Sequence, residues 1–144
     1  MYNPKDGRYP SEGTLLVTNT DPTQDAVLTE IRLGGVKHLS IRDAFVVPII
    51  NERRYGGGLH VPPETGEDPV NDTQWAARQD LVGYQVAPGE DANILVVLDT
   101  DDPCDGTSDW YELDYRVGGQ RYRTVALQGA WMDDGTSNCE PPEE

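Results

Sequence analysis

Short hydrophobic runs separated by glycine, proline and asparagine dominate the chain, and helical periodicity is almost absent. Two runs, residues 26–33 and 109–117, alternate apolar and polar residues at every second position. This period is typical of strands with one buried face. In the first run the alternation assigns one face to Val27, Thr29, Ile31 and Leu33. In the second run the alternation predicts that four side chains point inward: Tyr111, Leu113, Tyr115 and Val117.

Four further segments predict strands. Residues 92–99 contain five consecutive aliphatic side chains, Ile94 to Leu98, which favours a strand covered on both faces. The Gly118-Gly119 pair predicts a tight hairpin into residues 120–130. Residues 13–20 and 40–50 complete the set, and in the latter one face carries Ile41, Phe45, Val47 and Ile49.

Six or seven short strands within about 130 residues predict an all-β fold, an immunoglobulin-like sandwich of two sheets with about seven antiparallel strands. The expected domain organisation is an N-terminal extension over residues 1–12, the sandwich over 13–131, and an acidic tail over 132–144. A chain of 144 residues is long enough to bury a core of its own.

Three sequence stretches resemble the immunoglobulin-like or fibronectin-type-III-like extracytoplasmic domains of bacteria, with actinobacterial membrane-anchored proteins most similar. They are Leu15-Leu16-Val17-Thr18-Asn19-Thr20, Val86-Ala87-Pro88-Gly89-Glu90 and Leu113-Asp114-Tyr115-Arg116. The resemblance covers residues 13–130 and implies a binding, spacing or assembly module. It implies no catalytic residue, and the inter-sheet disulfide of antibody domains has no counterpart here.

The connection over residues 51–80 is long for a compact domain, and such connections are usually functional or disordered. A short helix over residues 74–81, capped by Asp72 or Thr73, is expected within it. One interpretation is that its aromatic side chains cover a sheet edge or one end of the core. The other is a partner-binding surface, because arginine and aromatic residues dominate interface hot spots. Its candidate residues are Arg53, Arg54, Tyr55 and Trp75.

The two cysteines, Cys104 and Cys139, flank near-copies of one loop, Asp-Gly-Thr-Ser followed by Asp or Asn. We interpret them as a disulfide that secures the acidic tail, with two free thiols as the alternative. A disulfide implies an oxidising compartment and therefore an extracytoplasmic protein. Residues 1–6 contain no apolar signal-peptide core. We therefore expect that an export signal or anchor is missing from this chain; a cytosolic or virion protein with reduced thiols is the alternative.

A calcium site is a second hypothesis. Acidic residues cluster after the aliphatic strand, and carboxylate oxygens are preferred calcium ligands. The proposed ligands are Asp99, Asp101, Asp102, Asp105 and Asp109. The competing interpretation is a solvated acidic turn. We expect no other cofactor.

A formal charge of −15 argues against nucleic acid as a partner, since its phosphates would repel such a surface. No apolar stretch approaches membrane-span length, so no direct membrane insertion is expected. No motif links His38 or His60 to a nucleophile, and catalysis is not expected. The predicted function is a non-catalytic extracytoplasmic domain that displays the long connection to a protein partner. A calcium-stabilised adhesion or assembly module and a structural subunit of an envelope or virion are the alternatives.

Overall fold

The computed structural model describes residues 9–55, 60–63, 66–100 and 106–132, and strands dominate them. Six strands are long: β1 (Tyr9–Thr18), β2 (Ala26–Gly34), β3 (Leu39–Val47), β7 (Asp91–Thr100), β9 (Trp110–Val117) and β10 (Gln120–Ala126). Five are short: β4 (His60–Val61), β5 (Gln79–Asp80), β6 (Gln85–Val86), β8 (Gly106–Ser108) and β11 (Ala130–Met132). The helix α1 spans Pro69–Ala76.

The strands form two antiparallel sheets packed as a sandwich, which confirms the predicted all-β class. The first sheet has the order β4-β1-β7-β3-β5 and the second has the order β10-β9-β2-β6. A separate two-stranded sheet pairs β11 with β8. The core between the two large sheets is built from side chains of both, including Leu28, Ile94, Val96, Tyr111 and Leu113. The first strand begins at Tyr9, four residues before the predicted start of the sandwich.

Bulges in β2 and β3 correct the predicted strand faces. The register of β2 shifts between Leu28 and Glu30, so Leu28 faces the core before the bulge and Ile31 faces it afterwards. An extra residue reverses which alternate positions point inward, because side chains change face at every residue. A similar shift follows Ile41 in β3, which places Ile41 in the core between the sheets and Phe45 in a different cluster.

The central strand β7 is covered on both faces, as its continuous aliphatic run predicts. Its even-numbered residues, such as Ile94, enter the core between the sheets. Leu95 and Val97 point to the opposite face and pack against residues of the long connection. The molecule therefore has a second, smaller core outside the first sheet, which contains Val47, Tyr55, Val61, Leu95 and Val97. We call the described residues that cover this face, 48–55, 60–63 and 66–78, the outer layer.

The helix of the outer layer begins five residues before the predicted start. Asp68 caps it, since the Asp68 carboxylate accepts hydrogen bonds from the amides of Val70 and Asn71 at 3.0 and 3.4 Å. Pro69 then occupies the first turn, where no amide is needed. Asp68 followed by Pro69 therefore marks the start of the helix. The predicted caps, Asp72 and Thr73, lie inside the helix instead.

After the helix, the chain closes one lateral side of the sandwich. β5 pairs with β3 of the first sheet, and β6 pairs with β2 of the second. Between them, the Leu81 amide donates to Ala44 and the Gly83 amide donates to Leu28, at 3.1 and 2.7 Å. Residues 79–86 therefore bond to both sheets, and we call this side the closed side.

Candidate functional site

The structure places one of the four predicted partner-binding residues in the core. The Tyr55 side chain is 0% exposed and packs in the second core, and its amide donates to Asn93 Oδ1 at 2.8 Å. Its ring is therefore not available to a partner in this conformation. The interpretation of Tyr55 as a surface residue is corrected, because the segment that carries it folds onto the exposed face of the first sheet.

The two arginines of the predicted surface are exposed but engage different groups. Arg53 Nη2 donates to Asp68 Oδ2 at 2.8 Å, and this contact holds the pKa of the helix-capping carboxyl below its usual range. Arg54 Nη1 donates to the Thr14 carbonyl of β1 at 3.0 Å. The Arg53 carbonyl also accepts from buried Gln74. Arg54 therefore attaches the outer layer to β1, whereas Arg53 joins two parts of the outer layer to each other.

Trp75 lies at the boundary between the second core and solvent, in contact with two other residues. Its ring meets Phe45 edge to face, with centroids 5.7 Å apart. The Arg78 guanidinium stacks over the Trp75 ring at 3.9 Å from the centroid. Arg78 was not predicted for this surface. Arg78 lies just beyond the end of the helix, where its Nη1 also donates to the Trp75 carbonyl at 2.9 Å. The signal that the sequence offered is only its closeness to Trp75 along the chain.

The proposed calcium ligands fall mostly outside the described residues, as Asp101, Asp102 and Asp105 do. Asp99 is described and 8% exposed, and its carboxylate accepts from the amide of Thr100 at 2.8 Å. The Asp109 side chain lies next to Gly35, just after β2. Within the described segments, no group of three or more His, Cys, Asp or Glu side chains is placed to hold a metal ion. The calcium site stays a prediction.

The predicted disulfide also stays a prediction, because Cys104 and Cys139 both lie outside the described residues.

A charged network crosses the outer face of the second sheet. Arg32 of β2 binds both Asp114 oxygens, at 2.9 and 3.0 Å, and Arg123 of β10 binds the same carboxylate at 2.9 Å. Hydrogen bonds from Arg32 and then Arg123 lower the pKa of Asp114 to about 2. One carboxylate thus links three neighbouring strands.

An open groove lies on the lateral side opposite the closed side, between β1 and β10. The cavity has a volume of about 550 Å³. Its lining is mostly apolar and includes Leu15, Val17, Ile94, Leu113, Tyr122 and Ala126. No strand in the described part of the chain pairs with β10 on this side, whereas β4 covers only Tyr9 and Pro10 of β1. We call this feature the β1/β10 groove.

One residue of the groove lining, Tyr111, carries a buried polar atom. Tyr111 is 2% exposed, and its hydroxyl has no hydrogen-bond partner among the residues that the structure describes. Burial, followed by the nearby Glu12 carboxylate, raises the pKa of this phenol. The alternation of residues 109–117 predicts Tyr111 in the core, but no sequence pattern predicts the groove, because the groove depends on which strands become sheet edges.

Comparisons with known proteins find no match: no family model, no curated protein and no solved structure resembles this chain significantly. Of the helices in the described segments, none combines the length and apolar character needed to cross a membrane.

Proposed function

We propose that the sandwich is immunoglobulin-like, as the sequence resemblance implies. Constant-type immunoglobulin domains arrange strands A, B, E and D in one sheet and C, F and G in the other. Taking β1, β2, β3, β7, β9 and β10 as B, C, D, E, F and G reproduces the sheet orders B-E-D and C-F-G. All six long strands therefore support the proposal by their order, which does not depend on side-chain similarity.

In this assignment the outer layer belongs to the connection between strands D and E. That connection runs from Pro48 to Glu90 and contains α1 and three short strands. An insertion of this size that keeps the six-strand order is a large addition to an otherwise ordinary sandwich. Connections of this length commonly carry function on a scaffold that holds them in place.

We propose that the protein is a non-catalytic interaction domain that presents the outer layer to a protein partner. The observation that carries this proposal is the stack of Arg78 on Trp75, with Trp75 held edge to face by Phe45. Arginine and tryptophan are enriched in interface hot spots, and side chains that are already ordered lose less entropy on binding. Arg78 replaces Tyr55 in this surface, which also includes Arg53 and Arg54.

The extracytoplasmic location is part of the same proposal and rests on the two cysteines. A direct test is the intact mass of protein recovered from an exported and a cytosolic expression, with free thiols counted in each. Export is expected to give protein without reactive thiols, because Cys104 and Cys139 pair in an oxidising compartment. Two reactive thiols in folded, exported protein would remove the support for this location.

The partner surface is tested by photo-crosslinking in cells of the source organism. A photoreactive residue replaces exposed Ala77, next to Arg78, and a matched control carries it in place of Val82, which is 70% exposed on the closed side. The proposal expects a discrete adduct from position 77 that is absent from position 82 and weakened by Arg53→Glu. Equal adducts from both positions, or none from position 77, would contradict it.

A further inference from the structure

We propose that the β1/β10 groove binds an extended segment of a partner protein in which apolar and acidic side chains alternate. The partner's backbone pairs with the open edge of β10, its apolar side chains enter the groove, and its acidic side chains face the arginines of β10. This site lies away from Trp75 and Arg78 and does not depend on the function proposed for the outer layer.

The hairpin geometry identifies the backbone groups that are free for such pairing. Val117 and Gln120 face each other across a two-residue turn whose glycines, Gly118 and Gly119, have φ of 58° and 84°. Residues that flank such a turn exchange both hydrogen bonds, and the pattern then alternates along the strands. The amides of Arg121, Arg123 and Val125 therefore point away from β9 towards the open edge.

Apolar side chains that solvent reaches surround this edge. Leu127 is 88% exposed, Val125 is 48% exposed, Tyr122 is 47% exposed and Leu16 of β1 is 38% exposed. Tyr122 and Thr124 pair with Tyr115 and Leu113, which face the core, so the inward face of β10 lies over the groove. An exposed apolar cluster beside an unpaired strand edge is a feature that soluble proteins usually avoid unless a partner covers it.

The Tyr111 hydroxyl is an independent indication that the groove is incomplete. It belongs to a residue of the groove lining, is buried, and lacks a hydrogen-bond partner within the described segments. A buried polar atom without a partner destabilises the folded state. A segment seated in the groove would bring backbone donors and acceptors next to this side of the sandwich.

Charge selects the kind of segment. The hairpin over residues 110–126 carries three arginines against two carboxylates, within a chain whose net charge is −15. Both carboxylates already contact Arg32 and Arg123. Arg116 and Arg121 make no ion pair within the described part of the chain. The β10 edge is therefore a basic site on an acidic protein, and acidic side chains match it.

Charge and composition also disfavour the occupants that the chain itself offers. In a symmetric antiparallel pair of β10 strands centred on the middle of the strand, Arg123 would lie opposite its own copy, and like charges directly opposite destabilise a pair. Residues 133–144 are acidic but contain Pro141-Pro142 and no alternating apolar side chains. Residues 1–8 contain two basic residues and one acidic residue, which is the wrong charge for this edge. A separate acidic partner fits better.

The experiment is residue-resolved amide exchange on the full-length, ¹⁵N-labelled chain with synthetic peptides of about nine residues, which is enough to span β10. One peptide alternates isoleucine or valine with glutamate, and its control replaces each glutamate with lysine. The acidic peptide is expected to slow exchange at Arg121, Arg123 and Val125 by about tenfold or more. Tyr122 and Thr124 already bond to β9 and are expected to change less.

Three variants separate groove binding from general attraction. Thr124→Arg places a bulky charge over the groove and is expected to abolish the slowing. Arg121→Glu is expected to weaken binding of the acidic peptide and strengthen binding of the lysine peptide. Val82→Arg, on the closed side, is the matched control for the Thr124 variant and is expected to leave binding unchanged.

Four outcomes would overturn the proposal. The first is no slowing with either peptide at its solubility limit. The second is equal slowing with both peptides that Thr124→Arg does not affect. Protection of the three amides without peptide that rises with protein concentration would identify a second copy as the occupant. Protection without peptide that disappears when residues 133–144 are removed would identify the chain's own tail.

Discussion

The two lateral sides of the sandwich differ in how their sheet edges are completed. On the closed side, residues 79–86 pair with β3 of the first sheet and with β2 of the second, and Leu81 between them is 1% exposed. On the opposite side, β10 has no second neighbour in the described residues, and the β1/β10 groove opens towards the core. The same two sheets are therefore joined on one side and separated on the other.

The difference shows what the long connection contributes to the fold. It covers the outer face of the first sheet, adds β4 to one end of β1, and then closes the side between β3 and β2. Uncovered strand edges invite pairing with other chains, and proteins commonly block them. One connection pairs with β3 and with β2, covers one end of β1, and leaves the basic β10 edge accessible, which is why we assign that edge to a partner.

The largest expected effect is on the closed side. Leu81→Ala should lower the free energy of unfolding by about 3 kcal/mol, because it leaves a cavity where a buried side chain touches both sheets. Leu127→Ala on the open side is the matched control, and it should change stability by less than about 0.5 kcal/mol. Urea unfolding of the two variants measures both values. Similar losses would mean that the two sides are equally closed.

A smaller loss is expected where the outer layer is attached to β1. The Asn93 side chain is 0% exposed, donates to the carbonyls of Gly13 and Leu15, and accepts from the Tyr55 amide. Asn93→Ala should cost about 2 kcal/mol, because it leaves these backbone groups buried without partners. The same unfolding measurement, with Gln120→Ala as an exposed control, checks this value. An unchanged midpoint would show that the outer layer is not held by this contact.

The smallest effect concerns pH and the outer face of the second sheet. The folded pKa of Asp114, about 2, lies below its ordinary value of 3.8. Its contribution to stability is therefore complete above about pH 4 and is lost as pH falls towards 2. The urea midpoint should decrease across this window, and Asp114→Asn should reduce the decrease. Because the network is exposed, we expect the change in the urea midpoint to be modest. If Asp114→Asn and the unmodified protein lost stability equally between about pH 4 and pH 2, the link between β2, β9 and β10 would be contradicted.

Much of the fold could be predicted because local patterns determine it. Alternation in β9 identified Tyr111 and Leu113 as core residues, and the aliphatic run of β7 predicted a strand covered on both faces. A single face was assigned wrongly to each of β2 and β3, since their inward positions change at a bulge and no local residue marks where a bulge inserts. The helix start was missed because Asp68-Pro69 was not read as a cap.

The candidate sites were harder to predict, because they depend on contacts between distant segments. Tyrosine is a common residue type in protein interfaces, which made Tyr55 a candidate. Its burial follows from the outer layer folding onto β7. The β1/β10 groove arises because β10 becomes a sheet edge and no described strand lies beside it. The order of strands in a sheet depends on the whole chain. The two glycines that predict the hairpin between β9 and β10 do not show whether another strand pairs with the far edge of β10.

The most direct test of the account is amide exchange of the protein alone, read residue by residue. The amides of Leu28, Leu81 and Gly83 bond across the closed side and should exchange slowly. Along β10, fast exchange at Arg121, Arg123 and Val125 should alternate with slow exchange at Tyr122 and Thr124. Uniform protection along β10 in dilute protein, comparable with that of the closed side, would contradict the claim that one side of the sandwich is open.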